Sequence, residues 1–493
     1  MKNRYWILLV VIALFASCTN KFEEYNTDTK NPSEVPGESL FSNAEKTLSD
    51  QISSTNVNLN IFKLVSQYWT ETTYTDEANY DIVNRTIPDL IFRAYYRGFL
   101  MDFKRAGELI SAQTPATDAD KIVQQNKLYI IDLLEVYSYQ RLVDIFGDVP
   151  YTDALDINNI SPKYDDAITI YKDLISRVTA DIAGLDDSEG SFGSADFYYG
   201  GDVASWKKFA YTLKVKLGIS IADADGALAQ STVESAYANA FSSSSDDCLM
   251  PYLTNTPNTN TLYEDLVLSG RHDFVAANTV VDVMNGLNDP RLPLYFTQVD
   301  TSTVTGQEKL AYVGGAYGEN SPYDNYSHVS DQLLQPTFPG ILLTYSELQF
   351  YLAEAAARGW SVGQTAQEYY NAGITASIEW WGGTNGEAQS YLAKPEVDYT
   401  TAVANAAGSW KEVIGTQSWL ASYTRGLVGY TTFRRLDYPA FNMPPSPPTG
   451  VTSIPTRFTY PINEQTLNKA NYQAASSAIG GDLLTTKLFW DKY

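Results

Sequence analysis

The stretch Tyr139-Gln140-Arg141-Leu142-Val143-Asp144-Ile145-Phe146-Gly147-Asp148-Val149-Pro150-Tyr151 reads as the end of a helix followed by a turn. Gly147 stops the apolar series, and Pro150 helps to turn the chain away. Working back, Ile122, Leu128, Ile131, Leu134, Tyr137, Leu142 and Ile145 form a stripe that drifts around one long helix over residues 122–146. Working forward, Ser161-Pro162 introduces a second helix over 164–185 that buries Ile168, Tyr171, Leu174, Ile175 and Val178, and the two are expected to lie antiparallel. Residues 206–221 read as another helix. Residues 345–358, stopped by Gly359, and 365–381, stopped by Gly382, make a helix hairpin.

Within that hairpin Leu352, Ala353, Ala355 and Ala356 face Tyr369, Tyr370, Ala372 and Ile374, the small-against-large pairing of tetratricopeptide units, although no strict period of about 34 residues recurs. Such pairs predict a short, degenerate helical solenoid. Against it should pack the stretches rich in Gly, Asn, Ser and Pro at 246–261, 300–339, 382–411 and 438–459. Loops of that length in a compact body usually carry function.

The N-terminus reads as a targeting segment. Lys2 and Arg4 precede an apolar run at 6–15 that is far short of the ~20 residues needed to span a bilayer. The run ends in Leu14-Phe15-Ala16-Ser17-Cys18, a lipoprotein signal in which Cys18 takes the lipid. Residues 1–17 are then a signal peptide, 18–36 a lipidated tether, and 37–493 a single domain. Lys21, Glu23 and Glu24 suit either a surface-export signal or a solvated tether.

A formal charge of −24 with no basic cluster argues against nucleic acid as a partner. With Cys18 acylated, Cys248 lacks an intrachain partner and is expected to be a small core residue. The two histidines, His272 and His328, stand in no metal-ligand spacing, and no metal or cofactor is expected. No Gly-x-Ser-x-Gly elbow, Walker loop or dinucleotide fingerprint occurs. Asp223-Ala224-Asp225-Gly226 fails the calcium-loop register and reads as a helix terminus. The 58 acidic residues leave a carboxylate pair for glycoside hydrolysis as one surviving catalytic reading, without a motif to support it.

The opening stretch resembles the helix end and turn of the SusD/RagB family of outer-membrane nutrient-binding lipoproteins. Asn288-Asp289-Pro290-Arg291-Leu292, Thr344-Tyr345-Ser346-Glu347 with Leu352-Ala353-Glu354-Ala355, Tyr370-Asn371-Ala372-Gly373-Ile374, and Ile454-Pro455-Thr456-Arg457 with Tyr460-Pro461 and Glu464 are similar, in order, to segments of its SusD-like branch. The resemblance implies a mainly α fold, with four tetratricopeptide-like helix pairs packed against an irregular, loop-rich ligand-binding half. It also implies a TonB-dependent, SusC-like transporter as partner and capture of oligosaccharides or glycans rather than catalysis. Peptide cargo is the alternative, and a surface glycoside hydrolase a more distant one.

Tyrosine is the compositional outlier at 36 residues, and its ring and hydroxyl suit ligands that are half polar. The motifs of the resemblance have sufficient scaffold roles, so the expected ligand contacts lie on exposed loops. One set is Trp69, Tyr74 and Tyr80 with Asp76, Asn79 and Asp81, and Trp69 is the foremost candidate. A second is Tyr312, Tyr317, Tyr323 and Tyr326 with Asn320, Asp324 and Asn325, beside the polar pair Arg271 and Asp273. Aromatic planes take the C–H face of a pyranose, and amides, carboxylates and guanidinium take its hydroxyls.

Overall fold

The computed structural model describes residues 35–302 and 309–492, so Cys18 and the signal peptide lie outside the described residues. Helices carry the fold. In chain order the main ones are α1 Gly37–Ser53, α2 Met101–Ser111, α3 Asp118–Phe146, α4 Ala167–Gly184, α5 Val203–Ser220, α6 Tyr345–Ala357, α7 Ala366–Trp380, α8 Trp410–Ala421 and α9 Gly426–Leu436. Sequence neighbours pack as α2 on α3, α4 on α5, α6 on α7 and α8 on α9, while α3 meets α4, α5 meets α6 and α6 meets α8. The expected four helix pairs are present and joined edge to edge.

The long helix α3 begins earlier than its apolar stripe, because Thr117 and Asp120 form a reciprocal capping box. From Val136 to Phe146 every residue is buried, which explains why the stripe drifts: this half of the helix is enclosed on all sides. Its terminal carbonyls then need partners. Gly147, at φ +83°, returns its N–H to Val143 O, Arg434 donates to Asp144 O at 2.7 Å, Phe458 N–H to Ile145 O at 2.8 Å, and Arg457 to Phe146 O at 2.8 and 3.0 Å. The expected turn is real, and the far end of the chain completes it.

In α4 Tyr171, Leu174, Ile175 and Val178 are buried as expected, while Ile168 is only half-buried and Ile170 takes a core position. The α6/α7 hairpin packs through Gly373, where an added Cβ would lie 2.9 Å from the Phe350 ring. Asp225 caps the helix that starts at Gly226, in keeping with a helix terminus there. Cys248 is fully buried. One expectation is corrected: residues 382–411 are not an irregular loop but hold helices Asn385–Leu392 and Tyr399–Asn405, capped by Thr384 and Asp398.

Six short strands complete the described architecture: β1 Trp69–Glu71, β2 Cys248–Met250, β3 Phe274–Ala276, β4 Val299–Asp300, β5 Leu310–Ala311 and β6 Gly340–Leu343. They form the antiparallel pairs β1/β3, β2/β6 and β4/β5. A large apolar cluster fills the helical half, and a second, holding Trp69, Tyr295, Trp381, Trp419 and Tyr423, lies under the loops.

Candidate ligand site on the loop face

The β1/β3 ladder brings together segments two hundred residues apart, with Trp69 opposite Ala276 and Glu71 opposite Phe274. It continues one residue further, since Thr72 N–H donates to Asp273 O at 2.9 Å and its hydroxyl to His272 O at 2.8 Å. Tyr74 and the run Arg271-His272-Asp273 therefore leave the ladder side by side. The other edge of β3 receives the 312–328 segment, through Ala276 N–H to Ser327 O and Gly315 N–H to Ala276 O, both 2.8 Å.

Several expected ligand contacts prove to be scaffold. Trp69, 1% exposed, faces inward from its strand and donates Nε1–H to Tyr423 Oη at 3.0 Å. Tyr80 and Tyr317 are buried against each other, with ring centroids 6.1 Å apart. Asn79 is a buried staple: its amide donates to Thr75 O and Gly318 O at 2.8 and 2.7 Å and accepts from Ser446 N–H at 2.9 Å, binding three loops together. The expectation that these residues are exposed is corrected, because polar neighbours in sequence conceal a buried strand and a cross-loop amide. Tyr312 is half-buried against the second cluster, and Asp76 is exposed but pairs with Arg85 at 3.4 Å. Beneath the loop, burial and the charge of Glu77 push the Glu71 carboxyl well above the usual range, while Arg85 takes Glu77 at 3.0 Å.

Tyr74, Arg271, Asp273 and Tyr323 remain on one face. Tyr74 is 77% exposed and holds φ +44°, a left-handed backbone that costs a large side chain energy. Arg271 grips Asp273 in a two-bond fork at 2.5 and 3.0 Å, which raises its pKa, with a smaller contribution from nearby Tyr74. Tyr323 lies between the two histidines: its centroid is 4.1 Å from His272 at 13° between planes, and 3.7 Å from His328 at 3°. His328 Nε2 is 2.6 Å from Tyr323 O, and burial pushes its pKa down, favouring the neutral ring. Sequence reasoning passed over both histidines because they were weighed as metal ligands and acids; nothing in their spacing marks them as stacking partners.

A family model described as starch-binding and associating with the outer membrane matches residues 29–461. The chain belongs to the SusD-like family. Among solved structures this SusD-like protein is similar to a chitin-binding protein at 26% identity, covering 93% of this chain and 100% of that one with a TM-score of 0.79. A SusD homologue from Bacteroides uniformis shares 25% identity over 92% of this chain and 99% of its own, with a TM-score of 0.74. A chitin-binding SusD homologue from Flavobacterium johnsoniae shares the fold at 21% identity, 92% and 98% coverage and a TM-score of 0.76. No curated protein sequence matches it. The motifs that carry the resemblance lie in the scaffold: Asp289 and Arg291 form a fully buried pair at 2.6 Å, joined by Gln417 and Tyr391, and Glu347 is enclosed by Lys216, Arg425 and Tyr351. Among the described residues no helix is long and apolar enough to cross a membrane.

Proposed function

We propose that this SusD-like protein is a cell-surface lipoprotein that captures oligosaccharides or glycans and delivers them to a SusC-like, TonB-dependent transporter of the outer membrane, without cleaving them. Signal residues 1–17 are removed, Cys18 carries the lipid, and residues 18–36 tether the domain. The observation that carries the reading is the loop-face cluster of exposed Tyr74 and Arg271 with half-buried Asp273 and Tyr323, on a chain whose similar full-length neighbour is a chitin-binding protein. The exposed Tyr74 ring offers a plane to C–H faces, and the Arg271–Asp273 fork presents donors and acceptors beside it. A few hydrogen bonds at about 1 kcal/mol each, plus stacking of similar size, give affinities of micromolar or weaker after the costs of ordering.

A glycan array and a peptide library screened side by side test the cargo. Retention of a glycan that stays intact on long incubation is the expected result; peptide-only retention would reassign the cargo, and release of shortened sugar would reinstate hydrolysis. Gentle solubilisation of membranes should recover the acylated protein with a barrel transporter, and Cys18→Ala should move it to the soluble fraction. Persistent recovery as a solitary protein would argue against the complex.

A further inference from the structure

The chain contains two histidines, and both stack on the same tyrosine. Because His272 and His328 cover the two faces of Tyr323, that ring has no free plane to offer a sugar. His328 is half-buried at the inner end of the column, with its ring nitrogen against Tyr323 O, whereas His272 is exposed at the outer end. The uncovered plane of this column therefore belongs to an imidazole, carried between Arg271 and Asp273 of the fork and beside the segment that leads to exposed Tyr74. We infer that His272 supplies the plane on which a neutral sugar ring stacks, and that charging this imidazole weakens capture of a neutral glycan while strengthening capture of a uronate-bearing one.

This rests on the glycan-capture reading and names the residue that sets its specificity. Sugar C–H groups carry partial positive charge and favour an electron-rich ring face, so an imidazolium repels what an imidazole attracts, while a carboxylate sugar gains an opposite charge. Histidine is the side chain whose charge changes near neutral pH. Several titratable and charged groups lie around His272. On its own segment, Arg271 is already held by Asp273. From the facing loops come the Tyr323 ring, with Asp324 beside it, and the Thr72 hydroxyl, which binds the His272 carbonyl rather than its ring. Beyond Tyr323 stands His328, kept toward neutral by burial.

Calorimetric titration with chitohexaose and with a galacturonate hexamer, at pH 7.5 and 5.5, tests the inference on the full domain. Wild type should lose several-fold affinity for chitohexaose on acidification and gain it for the galacturonate. His272→Phe should keep neutral-pH affinity for chitohexaose but lose the pH dependence, and His272→Ala should bind it about tenfold more weakly at both pH values. The two imidazoles give two resolvable sets of carbon-bound proton signals, so a saturating sugar should shift the His272 set more than the His328 set. A wild type that binds chitohexaose with unmoved His272 signals, or a His272→Phe variant that keeps the pH dependence, overturns the inference and leaves glycan capture standing. Binding of neither sugar overturns it too, and the glycan array then decides separately whether capture survives.

Discussion

Two aromatic residues five positions apart have opposite fates. Trp69 is drawn into the second apolar cluster by its strand partner, so Trp69→Ala is expected to destabilise the fold by about 3–5 kcal/mol, read in denaturant melts, with any loss of binding following from that. Tyr74 contributes little to packing and holds a left-handed backbone, so Tyr74→Gly should melt at or above the wild-type temperature while glycan affinity falls about fivefold. A strained, exposed ring that can be removed without loss of stability has its use outside the core. At this scale the sequence was a poor guide: both residues sit among the same Thr, Glu and Asp neighbours, and only the pairing with 274–276 separates them. Tyr74, Arg271, Asp273 and Tyr323 were nonetheless legible as polar-flanked loop residues. His272 was not, because stacking leaves no spacing rule.

At the scale of elements, α6 is bolted to its neighbours by two buried carboxylates. Glu347 meets Lys216 on α5 at 3.1 Å and also Arg425, and Glu354 meets Arg435 on α9 at 2.6 Å. Against the upward push of burial, the Lys216 and Arg425 charges and the Tyr351 hydroxyl hold Glu347 down at about 2. A depressed carboxylate contributes stability above its unfolded value and loses it as pH falls toward the folded one. Roughly 3 kcal/mol should therefore be lost between about pH 4.5 and 2. Glu347→Gln should be less stable than wild type at pH 7, because two cations lose their counter-charge, and the gap should narrow across that window in urea melts at stepped pH. The helices were the most legible part of the sequence, since apolar period, caps and glycine stops act locally. Helix starts were missed by a few residues where a capping box reached past the stripe. The two helices within 382–411 were missed because their apolar faces are small, although Thr384 with Glu387 was a readable capping signal.

For the whole molecule, the opening stretch announced the fold but not its closure. The last turn of α3 depends on Arg434, Arg457 and Phe458, and Arg457 also binds Asp482 at 2.6 Å with both side chains buried. Arg457→Leu should cost about 3–5 kcal/mol in equilibrium unfolding, because it strands a buried carboxylate and a helix-end carbonyl together. Long-range partners of this kind leave no local trace, which is why a turn at Gly147 could be foreseen and its clasp could not.

That clasp bears on how the protein matures. In a chain that emerges from its amino end, the last carbonyls of α3 wait about three hundred residues for Arg457 and Phe458, so a product halted short of that point leaves this helix end without its partners. The order of synthesis thus sets the order of closure: only a polypeptide that includes Arg457 and Phe458 can complete the end of α3.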